Sequence, residues 1–205
     1  MDSIIFDLDG TLWDSSDVVV NTWQSKLSYD SRIKQTITKE DLQGVMGLQM
    51  EEIGERLFPS LTSEERETLL KQVSNAENEA LRQQGGKLYE HVESTLKQLA
   101  SRYQLYIVSN CQDGYIEAFY HYHNLGKYFR DYENPGRTGL SKAENIQLVI
   151  SRNQLNASVY VGDTLGDQEA AKKAGIPFIY ASYGFGDVKT YDKMINQPKE
   201  LLQIL

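Results

Sequence analysis

Four short apolar runs, at residues 3–7, 105–109, 159–163 and 178–182, each end on a polar residue. The first three are continuously apolar rather than alternating, the pattern of strands covered on both faces. Between them the apolar positions recur at helical spacing over residues 93–102, 115–122, 142–152 and 167–174. Strand alternating with helix predicts a parallel sheet with helices on both sides, a doubly wound α/β fold. A further short strand is predicted at 129–132.

Residues 15–84 break this rhythm. They are rich in Glu, Lys, Gln and Leu at helical spacing, and the stretch is too long for an unstructured loop in a compact domain. It reads as an inserted α-helical cap domain, with the α/β core formed by residues 1–14 and 85–205. Leu69, Leu70, Val73, Ala76, Ala80 and Leu81 recur three and four residues apart and predict an amphipathic helix. Asp14-Ser15-Ser16-Asp17 offers an outward linker with a helix N-cap, and Gln83-Gln84-Gly85-Gly86 a return hinge.

Composition narrows the class. A chain of 205 residues with 40% apolar residues suffices for one sizeable core with an insertion. No apolar stretch approaches the ~20 residues of a membrane span. The first residues show neither a basic region nor a small-residue cleavage site, so no secretory signal is expected. The lone Cys111 rules out an internal disulfide and fits a reducing, cytoplasmic setting. A net charge of −8 argues against nucleic acid or anionic membrane as partner.

The chemistry stands at the strand ends, where open parallel sheets bind ligands. The first strand ends in Asp7-Leu8-Asp9-Gly10-Thr11, the second in Ser109-Asn110, and the third in Gly162-Asp163-Thr164-Leu165-Gly166-Asp167, while Lys142 opens the helix between the last two. Together these motifs resemble those of the haloacid dehalogenase-like superfamily of phosphohydrolases, in order and in placement, including the site of a helical insertion after the first motif. The resemblance covers nearly the whole chain. It implies a Rossmann-like core, a nucleophilic aspartate, a Mg2+ ion and a phosphoaspartyl intermediate.

On that resemblance Asp7 is the nucleophile, and Asp9 protonates the leaving alkoxide and then takes a proton from water. The metal set is Asp7, the Asp9 backbone carbonyl and Asp163, with Asp167 holding metal-bound water. The residues make physical sense of this. Two unit charges ~4 Å apart interact by roughly 4 kcal/mol at an effective dielectric near 20, so clustered carboxylates facing a phosphate require a cation. All-oxygen ligands favour a hard ion such as Mg2+. The Ser109 hydroxyl, Asn110 backbone N–H and Lys142 ammonium supply donors to phosphate. Lys142 in a first helical turn opposes the helix dipole by some tenths of a kcal/mol, unless an anion or Glu144 answers it.

Several residues read as structural. Cys111 reads as a small buried apolar side chain. His121 and His123 are two apart and do not face each other on a helix; His91 has no visible partner. Lys172 and Lys173 fit a solvated face, Arg137 a position near the site, and the tyrosines between 115 and 132 packing. The expected activity is Mg2+-dependent hydrolysis of a small-molecule phosphomonoester. A sugar phosphomutase of beta-phosphoglucomutase type is the alternative, and a phosphoaccepting receiver module a remote one. Haloacid hydrolysis is disfavoured because it does not need Asp9. The segment 44–50 lies where capped relatives carry a specificity loop and contains no basic residue.

Overall fold

The computed structural model describes residues 1–205. A six-stranded sheet, parallel throughout, is built from β1 (Ser3–Phe6), β4 (Gln104–Val108), β5 (Phe129–Glu133), β6 (Ser158–Gly162), β7 (Phe178–Ala181) and β8 (Lys193–Ile195), in the order β5-β4-β1-β6-β7-β8. A second, two-stranded antiparallel ribbon pairs β2 (Trp13–Asp14) with β3 (Lys87–Leu88). Between these two strands run α1 (Ser16–Leu27), α2 (Lys39–Gln43), α3 (Met50–Leu57) and α4 (Ser63–Gln84). The remaining helices are α5 (Val92–Leu99), α6 (Tyr115–His123), α7 (Pro135–Thr138), α8 (Lys142–Arg152), α9 (Leu165–Ala174) and α10 (Leu201–Ile204).

The fold is the doubly wound α/β arrangement that the strand and helix pattern predicts, and the reason the strands are continuously apolar is visible in it. Ile4 and Phe6 of β1, Leu105 and Ile107 of β4, and Val159 and Val161 of β6 face one core, shared with α5, α6 and the α1–α4 helices. Ile5, Tyr106, Val108 and Tyr160 face a second core under α8 and α9. Neither face of β1 meets water, and each fully buried Ile or Phe contributes roughly 1.5–3 kcal/mol. The connection from β1 leads toward β4, whereas that from β6 leads toward β7, so the topological switch point falls between β1 and β6.

Four helices begin where short polar side chains satisfy their first N–H groups. Thr38 with Asp41, Thr62 with Glu65, Ser141 with Glu144 and Thr164 with Asp167 form capping boxes. The entry to α1 differs from expectation, since the Ser15 side chain caps nothing and the Asp14 carboxylate accepts the Ser16 N–H at 2.9 Å. Gln83 and Gln84 belong to the last turn of α4, and the break comes at Gly85 with φ +65°. The buried stripe of α4 also shifts. Leu69, Leu70, Val73 and Leu81 are buried, but Ala76 and Ala80 are only partly so, and Ser74 and Glu77 take the core-facing places. The strand β8 and the β2–β3 ribbon are additions that the pattern did not predict, and β5 extends one residue past its expected end.

Candidate active site

Asp7 leaves the sheet without leaving its pairing, because its N–H still donates to Val161 at 2.8 Å. The chain then turns sharply. The Leu8 carbonyl accepts from Thr11 and Leu12, and Gly10 N–H donates to Trp13 at 2.9 Å. Gly10 sits at φ +77°, and a β-carbon there would collide with the Asp163 carboxylate. Only glycine lets this turn approach the end of β6. The N–H groups of Leu8, Asp9 and Asn110 donate to no protein acceptor, and the first two flank the Asp7–Asp9 turn while the third follows Ser109.

Asp163, fully buried after β6, is held from two sides. Thr11 Oγ1 donates to its Oδ1 at 3.3 Å, and the Phe185 N–H donates to its Oδ2 at 2.7 Å. The loop after β7 thus packs directly on the site, with Tyr183 Oη donating to the Thr11 carbonyl at 2.9 Å. At Gly184 a β-carbon would overlap both Asp163 Cβ and the Gly10 carbonyl oxygen. Gly184→Ala is therefore expected to cost about 1–3 kcal/mol of stability, read as a lowered urea midpoint. A midpoint equal to that of the parent protein would show that the loop yields freely.

Asp167 is buried too, and its oxygens are largely engaged. Oδ2 accepts from the N–H groups of Asp163 and Thr164 and from Thr164 Oγ1 at 2.7 Å, while Oδ1 faces Lys142 Nζ at 2.5 Å. Lys142 also reaches Asp7 Oδ1 at 3.1 Å, and only 5% of its side chain is exposed. Glu144, the bland partner the sequence offered, instead accepts from the Ser141 N–H and hydroxyl. Carboxylate oxygens of Asp7, Asp163 and Asp167 all lie within 4.8 Å of one another. One ammonium cannot balance three buried carboxylates, and this all-oxygen set fits a hard divalent cation.

The electrostatics reflect that imbalance. Burial and then the neighbouring Asp167 charge raise the Asp7 carboxyl to about 7, against the lowering effect of Lys142 and Ser109. Burial, Asp167 and Asp7 push Asp163 well above the ordinary range. For Lys142, burial works to lower its pKa, but the Asp167 and Asp7 charges outweigh it and the net shift is upward. The ammonium stays charged.

Asp9 has different surroundings. Ser15 Oγ donates to its Oδ1 at 2.6 Å and Tyr115 Oη at 2.9 Å, and the two hydroxyls lie 2.8 Å apart. Burial raises Asp9 to about 6, with the two hydroxyls opposing the shift and Glu77 adding to it. Tyr115 packs in the core against Trp13, as expected of the tyrosines, and has a second role besides. Its phenol orients a site carboxylate across 106 positions of sequence, which no local pattern reveals. Ser15 lay in view as a helix cap, but bonds to Asp9 instead.

Ser109 is buried at the end of β4 beside Asp7. The Asn110 side chain turns away from the crevice to the α1–α4 helices, its Nδ2 donating to the Gly47 carbonyl at 2.8 Å. A cavity of about 50 Å³ lies between these parts, lined by Asp7, Asp9, Ser109, Asn110 and Tyr115 below and by Met46, Leu48, Met50 and Glu77 above. It shares Met50, Asn110, Cys111 and Gln112 with a larger polar cleft of about 730 Å³.

The residues read as structural lie mostly apart. Cys111 is buried, and desolvation followed by the Asp9 and Asp7 charges raises its thiol well above the usual range. His123 packs edge-on against Trp13 at 5.7 Å and meets the Gly86 carbonyl, His121 is exposed, and His91 pairs with Glu90. Arg137 stands over the Tyr132 ring and beside Glu133 rather than in the cavity. Lys172 and Lys173 are exposed.

A doubly wound sheet whose switch point gathers four aspartates and a buried lysine defines an α/β enzyme with an acidic crevice covered by helices. The model of the haloacid dehalogenase-like hydrolase family matches residues 4–181, and the chain belongs to that family. It is 30% identical, over 99% of its length and 96% of the relative's, to a phosphoglycolate phosphatase of Synechococcus elongatus. Among solved structures, a predicted phosphoglycolate phosphatase from Haemophilus somnus shares the fold at a TM-score of 0.87 and 21% identity, covering 100% of this chain and 97% of that one. A haloacid dehalogenase-like hydrolase from Streptococcus pneumoniae does so at 0.85 and 22%, covering 100% and 98%. No helix is long and apolar enough to cross a membrane.

Proposed function

We propose that this crevice hydrolyses a small-molecule phosphomonoester by way of a phosphoaspartyl intermediate on Asp7, with Asp9 as general acid and base. The observation that carries the reading is the contrast between the two carboxyls. Asp7 is buried against Lys142 and faces the acidic cluster, whereas Asp9 stands two residues on among hydroxyls with its pKa raised to about 6. A carboxyl in that range suits proton transfer near neutral pH. The unpartnered N–H groups of Leu8, Asp9 and Asn110, together with Ser109 and Lys142, provide donors for phosphate oxygens.

Asp7, Asp163 and the Asp9 carbonyl would hold Mg2+, with Asp167 steering metal-bound water because its oxygens are already engaged. A bound Mg2+ supplies charge neutralisation between nucleophile and phosphate. The residues do the remainder. Asp7 attacks phosphorus; Asp9, in its protonated form, gives its proton to the departing oxygen. It then withdraws a proton from the water that cleaves the acyl phosphate. Lys142 holds Asp7 and Asp167 in place throughout. The helices α1–α4 serve as the cap, tied to the crevice through Asn110 and Gly47. The unpaired, buried Cys111 supports a reducing, cytoplasmic setting.

The test separates the two aspartates. Asp9→Asn is expected to slow hydrolysis of an alkyl phosphate by about 10²–10⁴-fold, and that of an aryl phosphate much less, because phenolate departs without a proton. Equal losses on both substrates would remove Asp9 from leaving-group protonation.

A further inference from the structure

Glu77 stands on the buried stripe of α4, where the sequence pattern assigns no function. We propose, resting on the hydrolytic reading above, that Glu77 reads the leaving group, so that the site takes phosphomonoesters whose far end carries a hydroxyl or ammonium donor and rejects those carrying a carboxylate. Glu77 occupies a core position of α4 with 5% exposure and lines the same cavity as Asp7, Asp9 and Ser109.

Its orientation is fixed by two partners from different elements. Trp23 Nε1 of α1 donates to Oε2 at 2.5 Å, and Gln112 Nε2, from the loop after β4, donates to Oε1 at 3.0 Å. A carboxylate has about four acceptor sites, so both oxygens retain capacity for a donor on the substrate.

The rest of the cavity decides the sign of the preference. No lysine, arginine or histidine lines it. Val19, Leu48, Met50 and Ile53 give its wall an apolar character, which strengthens any charge interaction inside. A substrate carboxylate there would face Glu77 with no counterion. The cations nearest in kind, Arg66 and Lys71, line the neighbouring cleft instead, and Arg66 is bonded to the Leu61 carbonyl at 2.6 Å. A donor-bearing end meets an acceptor held in place. This selectivity departs from the substrate in the name of the Synechococcus relative, whose carboxylate would be the disfavoured group.

The experiment uses the full-length Asp7→Asn protein with Mg2+, in which binding is read by calorimetry without turnover. Glycerol 3-phosphate and phosphoethanolamine are expected to bind about tenfold or more tightly than phosphoglycolate, as like-charge juxtaposition demands. Adding Glu77→Gln should shrink that ratio by a similar factor. Phosphoglycolate binding as tightly as either donor-bearing ester, no binding of either of those esters, or a ratio unmoved by a folded Glu77→Gln variant would each overturn the assignment. The binding order without that second substitution decides the matter if the variant does not fold. The expected order with no hydrolysis by the unaltered protein would sink the hydrolytic reading alone; hydrolysis with the reversed order would sink the selectivity alone.

Discussion

Asp7→Asn is expected to reduce phosphate ester hydrolysis on the order of 10⁴-fold or more, the scale of losing a covalent nucleophile, while the chain still folds. The fold should in fact tighten under one condition. In the metal-free protein Asp7 is raised from 3.8 to about 7, because burial and Asp167 disfavour its charge. The unfolded chain releases that proton near pH 4 and the folded chain only near pH 7. Stability from this group is therefore full below the unfolded pKa and declines as pH rises through the window between the two. Asparagine carries no such proton. With chelator present, the variant should melt at a higher temperature than the parent at pH 8, and the gap should close toward pH 4. A variant melting lower at pH 8 would mean that the Lys142 contact outweighs the burial of the charge.

Removal of divalent cations should be nearly as severe. Chelation is expected to lower turnover by about 10³-fold or more, since stabilising the charge that develops in transfer is among the strongest effects such a site can exert, and Mg2+ should restore it. Binding also has a structural readout. A ligand at a hundred times its dissociation constant adds about 2.7 kcal/mol to stability, so Mg2+ should raise the melting temperature of the parent protein. Asp163→Asn should blunt that rise without touching Lys142, whose partners are Asp7 and Asp167. Undiminished turnover after chelation, with no thermal shift on adding Mg2+, would remove the cation from the crevice.

The strands that place these residues were legible because both faces of β1, β4 and β6 are buried, which leaves an uninterrupted apolar signature. The edge strand β8 left none. Of Lys193, Met194 and Ile195 only the last is buried, and three residues with one apolar contact do not stand out from a loop. The ribbon β2–β3 has two residues a side and no period at all. The acidic residues at the strand ends were visible as motifs. Their supports were not, because Tyr115 and the Phe185 N–H reach their carboxylates across long separations. Glu77 did leave a trace. It lies four residues past Val73 and four before Leu81, a charge on a stripe that should have been apolar.

The two-stranded ribbon carries one further consequence. Both passages of the chain between the sheet and α1–α4 run side by side through Trp13–Asp14 and Lys87–Leu88, and Ser15 is the first residue beyond them. Ser15 is also a donor to Asp9. On the proposed reading of Asp9, a displacement of the helices about this stalk would carry that hydroxyl with it and leave Asp9 the Tyr115 donor of α6 alone.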